Sequence, residues 1–62
     1  MNHINKHYKT KLRCYLDNLE AYPNIEGKMT MQFLSLQRLA INEGLPAPKP
    51  FAKEIKAIIN TL

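Results

Sequence analysis

The sequence has no valine, no tryptophan and a single cysteine, and it contains no long apolar run. The lone cysteine, Cys14, excludes an intrachain disulfide, which favours a reducing, cytoplasmic setting over secretion. Apolar runs this short cannot span a bilayer, so we expect a soluble protein without a membrane partner. Because valine is absent and no stretch alternates cleanly between polar and apolar residues, the sequence also argues against a β-sheet.

Acidic residues are absent from the first thirteen positions, which carry Lys6, Lys9, Lys11 and Arg13. From Cys14 onward, five acidic residues balance five basic ones, so the formal net charge of +4 lies entirely on the N-terminal segment. This distribution favours an anionic partner for one end of the molecule. The four basic residues are candidates for nucleic-acid binding, since lysine and arginine bind phosphate groups without reading the base sequence. The alternative is a solvated helix face that keeps the protein soluble.

The chain has 62 residues, which limits it to a single domain, residues 1–62. A domain this small buries only about 60% of the surface of its unfolded chain, so its core is marginal. Small domains of this kind often need a disulfide, a metal or a partner subunit. With no disulfide available, a partner subunit becomes a reasonable expectation.

The pattern of apolar residues predicts an all-α fold with three short helices, at about residues 4–21, 30–43 and 50–62. We expect a helical hairpin followed by a third helix after a proline-rich link. The first helix ends before Pro23, because the residue before a proline is pushed out of the α region. Its apolar positions recur at three- and four-residue steps, which places both tyrosines in the core rather than on a base-stacking surface. These positions are Ile4, Tyr8, Leu12, Tyr15, Leu16 and Leu19.

The second helix carries the clearest local signals. Thr30 is its predicted N-cap. Gly44 fits a left-handed position just after its end, and Leu45 can then pack on Ala40, while Pro46 prevents continuation. The link at residues 46–50 alternates proline with other residues and should be extended. Pro50 can occupy the first turn of the third helix, whose apolar face is Phe51, Ile55, Ile58, Ile59 and Leu62.

The second helix is apolar around more than half of its circumference, which is wider than packing on one side requires. It is therefore either sandwiched between its neighbours or buried at a dimer interface. Core packing within a monomeric three-helix unit and homodimerisation both remain open on grounds of size. The predicted protein interface consists of Met29, Met31, Phe33, Leu34, Leu36 and Ile41.

No constellation of residues predicts catalysis, a metal site, a cofactor or a small-molecule substrate. His3, His7 and Cys14 share one helical stripe, but a structural zinc site needs a fourth ligand and no further histidine or cysteine exists. His7 lies two turns from Cys14, too far to act as the base of a thiolate nucleophile. The two glycines are isolated, so no phosphate-binding loop is present. We expect a protein that is not an enzyme.

Two resemblances bear on function. Residues 39–45 look like the first helix and turn of a helix-turn-helix motif, but Pro50 and Lys53 then replace apolar core positions, so we expect no recognition helix. In length, single cysteine and its opening Met1-Asn2-His3-Ile4-Asn5-Lys6, the chain resembles the short, basic, helical accessory proteins of temperate, lambda-like bacteriophages. That resemblance implies a regulatory protein that binds a host or phage factor in the host cytoplasm. The sequence thus favours a homodimeric protein-interaction module, with a small DNA- or RNA-binding regulator as the alternative.

Overall fold

A computed structural model describes residues 3–62 of the chain, with side chains from Asn5 onward. The described chain is all-α and contains no β-strand. It consists of α1 (His3–Ala21), a short 3₁₀ turn (Pro23–Ile25), α2 (Met31–Glu43) and α3 (Ala52–Thr61). The predicted hairpin followed by a third helix is confirmed. The predicted apolar position Ile4 and the candidate metal ligand His3 have side chains outside the described part.

The first helix is the central element of the core. Its apolar stripe packs against both other helices, whereas α2 and α3 make no close backbone approach to each other within the described chain. Of the two alternatives for the second helix, a position between its neighbours is therefore not observed, because α1 occupies that place. The described helices form no helix-turn-helix, since that motif requires its two helices to pack together. The fully buried residues of α1 are Tyr8, Leu12, Tyr15 and Leu19.

The partner helices complete a single hydrophobic cluster with this stripe. The α2 residues Phe33, Leu36 and Ala40 and the α3 residues Ile55 and Ile59 are all buried in it. The ring centroids of Tyr15 and Phe33 lie 6.0 Å apart at an angle of 41°, within the range of a favourable tilted aromatic pair. The core is therefore closed within one chain.

Both predicted ends of α2 are confirmed. The side chain of Thr30 accepts a hydrogen bond from the Phe33 backbone N–H at 3.2 Å, which satisfies one free amide of the first turn. At the other end, Gly44 adopts a left-handed conformation with φ of 67°. The N–H of Leu45 then donates to the carbonyl oxygen of Ala40 at 2.9 Å, and the N–H of Gly44 donates to that of Ile41 at 3.4 Å. These two bonds form the Schellman motif.

The proline-rich link forms no regular secondary structure, and it is held against its own chain. The Tyr8 hydroxyl donates a hydrogen bond to the Pro46 carbonyl oxygen at 2.7 Å, across 38 positions of sequence. Pro48 is buried as well. The link therefore packs α3 onto α1 of the same molecule.

The third helix begins at Ala52, later than the predicted start at residue 50. Pro50 is not in its first turn, because the Pro50 carbonyl oxygen accepts the Gly27 N–H at 2.6 Å and Phe51 is extended. Phe51 is consequently not part of the buried helix face that the pattern predicted and is 47% exposed. The free N–H of Ala52 is satisfied from a distance, since Glu26 Oε2 accepts it at 2.7 Å.

This remote cap gives a stability prediction. Replacing Glu26 with alanine should lower the free energy of unfolding by about 1 kcal/mol, the usual loss when a helix cap is removed. Urea denaturation followed by circular dichroism measures the change. Glu43→Ala is the control, because it removes an exposed carboxylate from the end of α2 and should leave stability nearly unchanged. Equal losses in the two variants would contradict a capping role for Glu26.

Candidate interaction surfaces

The predicted protein interface divides into buried and exposed residues. Phe33 and Leu36 are each only 2% exposed and belong to the core of their own chain. They are therefore unavailable to a partner, and their assignment to an interface is corrected. The reason is that α2 turns this side towards α1. The other four predicted residues are exposed, at 65% for Met29, 80% for Met31, 43% for Leu34 and 70% for Ile41.

Three of the exposed residues form a line along α2. Met31, Leu34 and Ile41 follow the spacing of alternate three- and four-residue steps, with Arg38 at the remaining position of the series. This spacing keeps side chains along one seam of a helix and is the spacing used by paired helices. We call these four residues the α2 strip. Met29 lies before the N-cap Thr30, outside the helix, and is a flanking residue only.

The α2 strip borders a shallow depression of about 290 Å³, lined by Leu34, Gln37, Arg38, Ile41 and Asn42. Arg38 is exposed, and it forms no ion pair with any residue in the described part of the chain. The surface thus combines apolar side chains with one free guanidinium group.

The predicted basic residues of α1 also divide into two groups. Lys6, Lys9 and Arg13 line one open pocket of about 330 Å³ together with Asn5, Thr10 and Leu62. Lys11 lines a different, smaller depression of about 180 Å³, beside Cys14 and the α2 residues Gln32 and Ser35. Successive helix residues turn by about 100°, so Lys11 projects about 160° away from Arg13. Of the four candidate nucleic-acid-binding residues, Lys11 therefore lies apart from the other three. We call the site of Lys6, Lys9 and Arg13 the basic pocket.

The basic pocket contains no acidic side chain. Among the described residues, the one ion pair within 4 Å joins Lys56 Nζ to Glu20 Oε2 at 3.3 Å, and it involves no base of the pocket. Thr10 donates its hydroxyl to the Lys6 carbonyl oxygen at 3.0 Å, so that hydroxyl is engaged by the helix backbone. Three cations therefore share one site that contains no acidic side chain.

The other described side chains that the sequence singled out do not assemble into a site. Tyr8 and Tyr15 lie in the core, as predicted, so neither offers a stacking surface for a base. Cys14 is exposed. Within the described part of the chain, no three histidine, cysteine or acidic side chains lie close enough to hold a metal ion.

Sequence reasoning missed the residues that complete each surface. Gln37 and Asn42 flank the α2 strip, and helical spacing around Arg38 would have found them. Asn5 lies four residues before Lys9, and Thr10 lies four residues after Lys6, so the same helical spacing would have found them. Leu62 carried no such signal, because its place in the basic pocket depends on how α3 packs on α1.

Between residues 3 and 62, no helix combines the length and apolar character that crossing a membrane requires.

Comparison with other proteins adds no family to this picture. The sequence matches no protein-family model, and searches of curated proteins and of solved structures return no significant match.

Proposed function

We propose that this chain is a small, non-enzymatic protein-interaction module that forms a homodimer through the α2 strip. The observation that carries the proposal is the exposure of Met31, Leu34 and Ile41 on one seam of a helix whose other side is already packed. Large apolar side chains that share a seam lose unfavourable contact with water when a second helix covers them.

The spacing of the α2 strip suits a second copy of itself. Residues 31 and 41 are centred on position 36, and so are residues 34 and 38. An antiparallel, two-fold pairing of two α2 helices would therefore place Met31 opposite Ile41 of the second copy and Leu34 opposite its Arg38. Such an interface uses the same patch twice, as two-fold dimers require. The methylene stem of Arg38 can cover Leu34 while its guanidinium group stays in water.

A contact of this size gives a reversible dimer. A few exposed side chains on one helix bury less surface than the roughly 1,200 Å² of a standard stable interface. We therefore expect dissociation in the micromolar range, about −8 kcal/mol of binding free energy. Since the core is closed within one chain, the separated monomer should remain folded.

The α2 strip also suits a partner other than a second copy of this chain. A helix of another protein with apolar residues at matching spacing would fit the α2 strip. The resemblance to accessory proteins of temperate bacteriophages supports the proposal that such a partner is a host or phage factor and that the role is regulatory, in the host cytoplasm.

Analytical ultracentrifugation tests self-association. Over about 1 to 500 µM, a range that brackets a micromolar dissociation constant, the mass of the wild-type chain should rise from one copy towards two. Ile41→Asp should stay at one copy, because a carboxylate in a desolvated seam is costly. Tyr22→Asp is the matched control, since Tyr22 is 61% exposed and lies outside the α2 strip. A wild-type chain that remains monomeric throughout, or an Ile41→Asp chain that still dimerises, would refute the proposal.

Disulfide trapping tests the antiparallel register. In a Cys14→Ser background, a mixture of Met31→Cys and Ile41→Cys chains should cross-link to each other more than either variant cross-links to itself. A parallel pairing would instead trap each variant with its own kind.

A further inference from the structure

The basic pocket is formed by different elements from the α2 strip, because none of its lining residues belongs to α2. We propose that this pocket binds the phosphate backbone of a nucleic acid. The proposal does not depend on dimerisation through α2.

Charge is the first argument. Three cations of a chain with net charge +4 lie together in the basic pocket, while the bases and acids from Cys14 onward cancel. With no acidic lining residue and no ion pair to Lys6, Lys9 or Arg13 among the described residues, the local field attracts anions. Binding releases the cations condensed on a polyanion, which supplies the driving force.

The spacing of the cations is the second argument. Lys6, Lys9 and Arg13 are distributed over seven helical steps, or about 10 Å along the axis of α1. Successive phosphates of one strand of a duplex rise by about 3.4 Å along its axis, so the three side chains span about three such steps. The pocket thus matches a line of charges better than a single charge.

The position of the pocket suits an extended polyanion better than a single phosphate. Lys9 and Arg13 project from the side of α1 beyond its first turn, where the backbone N–H groups are bonded within the helix. Sites for a single phosphate commonly use free backbone N–H groups at a helix N-terminus or in a turn. The three bases of the basic pocket instead offer separate side-chain charges.

The same geometry predicts binding without sequence preference. Phosphate contacts position a protein on nucleic acid, and base contacts specify the sequence. Both core tyrosines, Tyr8 and Tyr15, are fully buried and cannot stack on bases. The affinity should therefore depend on salt concentration and hardly at all on base composition.

Fluorescence anisotropy with labelled duplex DNA and labelled single-stranded RNA tests the proposal. The informative comparison is Lys9→Ala against Lys11→Ala, since both remove one charge from α1 but only Lys9 lines the pocket. At low salt, Lys9→Ala should weaken binding about fivefold or more and reduce the dependence of log K on log salt by about 0.9 for duplex DNA. Lys11→Ala should leave the slope unchanged, and the triple variant Lys6/Lys9/Arg13→Ala should lose binding.

Several outcomes would overturn the proposal. Equal weakening by Lys9→Ala and Lys11→Ala would mean that binding follows net charge and not the pocket. Displacement of DNA by polyglutamate at an equal concentration of charges would indicate an acidic protein partner instead. Strong competition by pyrophosphate would indicate a small phosphate ligand.

A structural role for the cations would give a different result. The carbonyl end of α3 reaches this pocket through Leu62, and cations stabilise that end of a helix. If that were their role, the triple variant would unfold more easily and wild-type chain would show no nucleic-acid binding at low salt. Ile41→Asp should retain the wild-type affinity for DNA per chain, which separates failure of this proposal from failure of dimerisation.

Discussion

Replacing Phe33 with alanine should lower the free energy of unfolding by about 3–5 kcal/mol, the largest effect expected of any single truncation in this core. Phe33 is 2% exposed and its ring packs against that of Tyr15. A core of this size rarely supplies more than about 3–5 kcal/mol in total. The alanine variant should therefore be largely unfolded at 25 °C, as seen by circular dichroism.

Two further variants make this result interpretable. Phe33→Leu keeps most of the buried volume and should remain folded, with a loss of about 1 kcal/mol in urea denaturation. Phe51→Ala removes the other phenylalanine, which is 47% exposed, and should cost far less than Phe33→Ala. If the two alanine variants were equally stable, Phe33 would not be the core residue that the structure places between α2 and α1.

Alkaline pH should unfold the protein between about pH 10 and pH 12 through Tyr8. Burial raises the pKa of the Tyr8 phenol from 10.0 to about 12. Burial also raises the pKa of Tyr15, with a smaller contribution from the negative charge of Glu26. Below pH 10 both phenols are protonated in the folded and unfolded chains, so their contribution to stability is complete. As the pH rises towards 12, the unfolded chain releases these protons first, and stability falls.

Tyr8→Phe isolates this effect, because every other ionisable group is common to both chains. The variant lacks the hydrogen bond to Pro46 and should be less stable at pH 7, by about 1 kcal/mol. Its stability should nevertheless fall less steeply above pH 10, so the two curves of unfolding free energy should converge. Curves that stay parallel to pH 12 would show that Tyr8 does not ionise with a raised pKa.

Local features of the fold could be predicted from the sequence because their determinants are adjacent. Thr30, Gly44 and Leu45 act on backbone groups within a few residues, and all three behave as expected. The late start of α3 could not be predicted, because it depends on Gly27 and Glu26, which lie more than twenty residues earlier. Pairings over such distances leave no periodic signal in a single sequence.

The central position of α1 could not be predicted from the spacing of apolar residues either. The wide apolar arc of α2 left open whether this helix is enclosed by its neighbours or covered by a partner, because width alone does not say which residues face a neighbour. Two tyrosines on α1 supply enough buried volume for one narrow stripe to serve both neighbours. The apolar residues left over on α2 are the source of the α2 strip, so the candidate protein surface was predicted only in part. For the basic pocket, helical spacing alone groups Lys6, Lys9 and Arg13 and sets Lys11 apart, whereas the place of Leu62 depends on the packing of α3 on α1.

The bonds from Gly27 to Pro50 and from Glu26 to Ala52 have a consequence for how two copies can meet. They join the two ends of the segment that contains α2, so this segment forms a loop closed at its base. Exchange of α3 between two molecules would require both bonds to open, together with the Tyr8 contact to the link. Domain swapping is therefore a slow route to a dimer here, and association through the outer face of the closed loop needs no part of the fold to open.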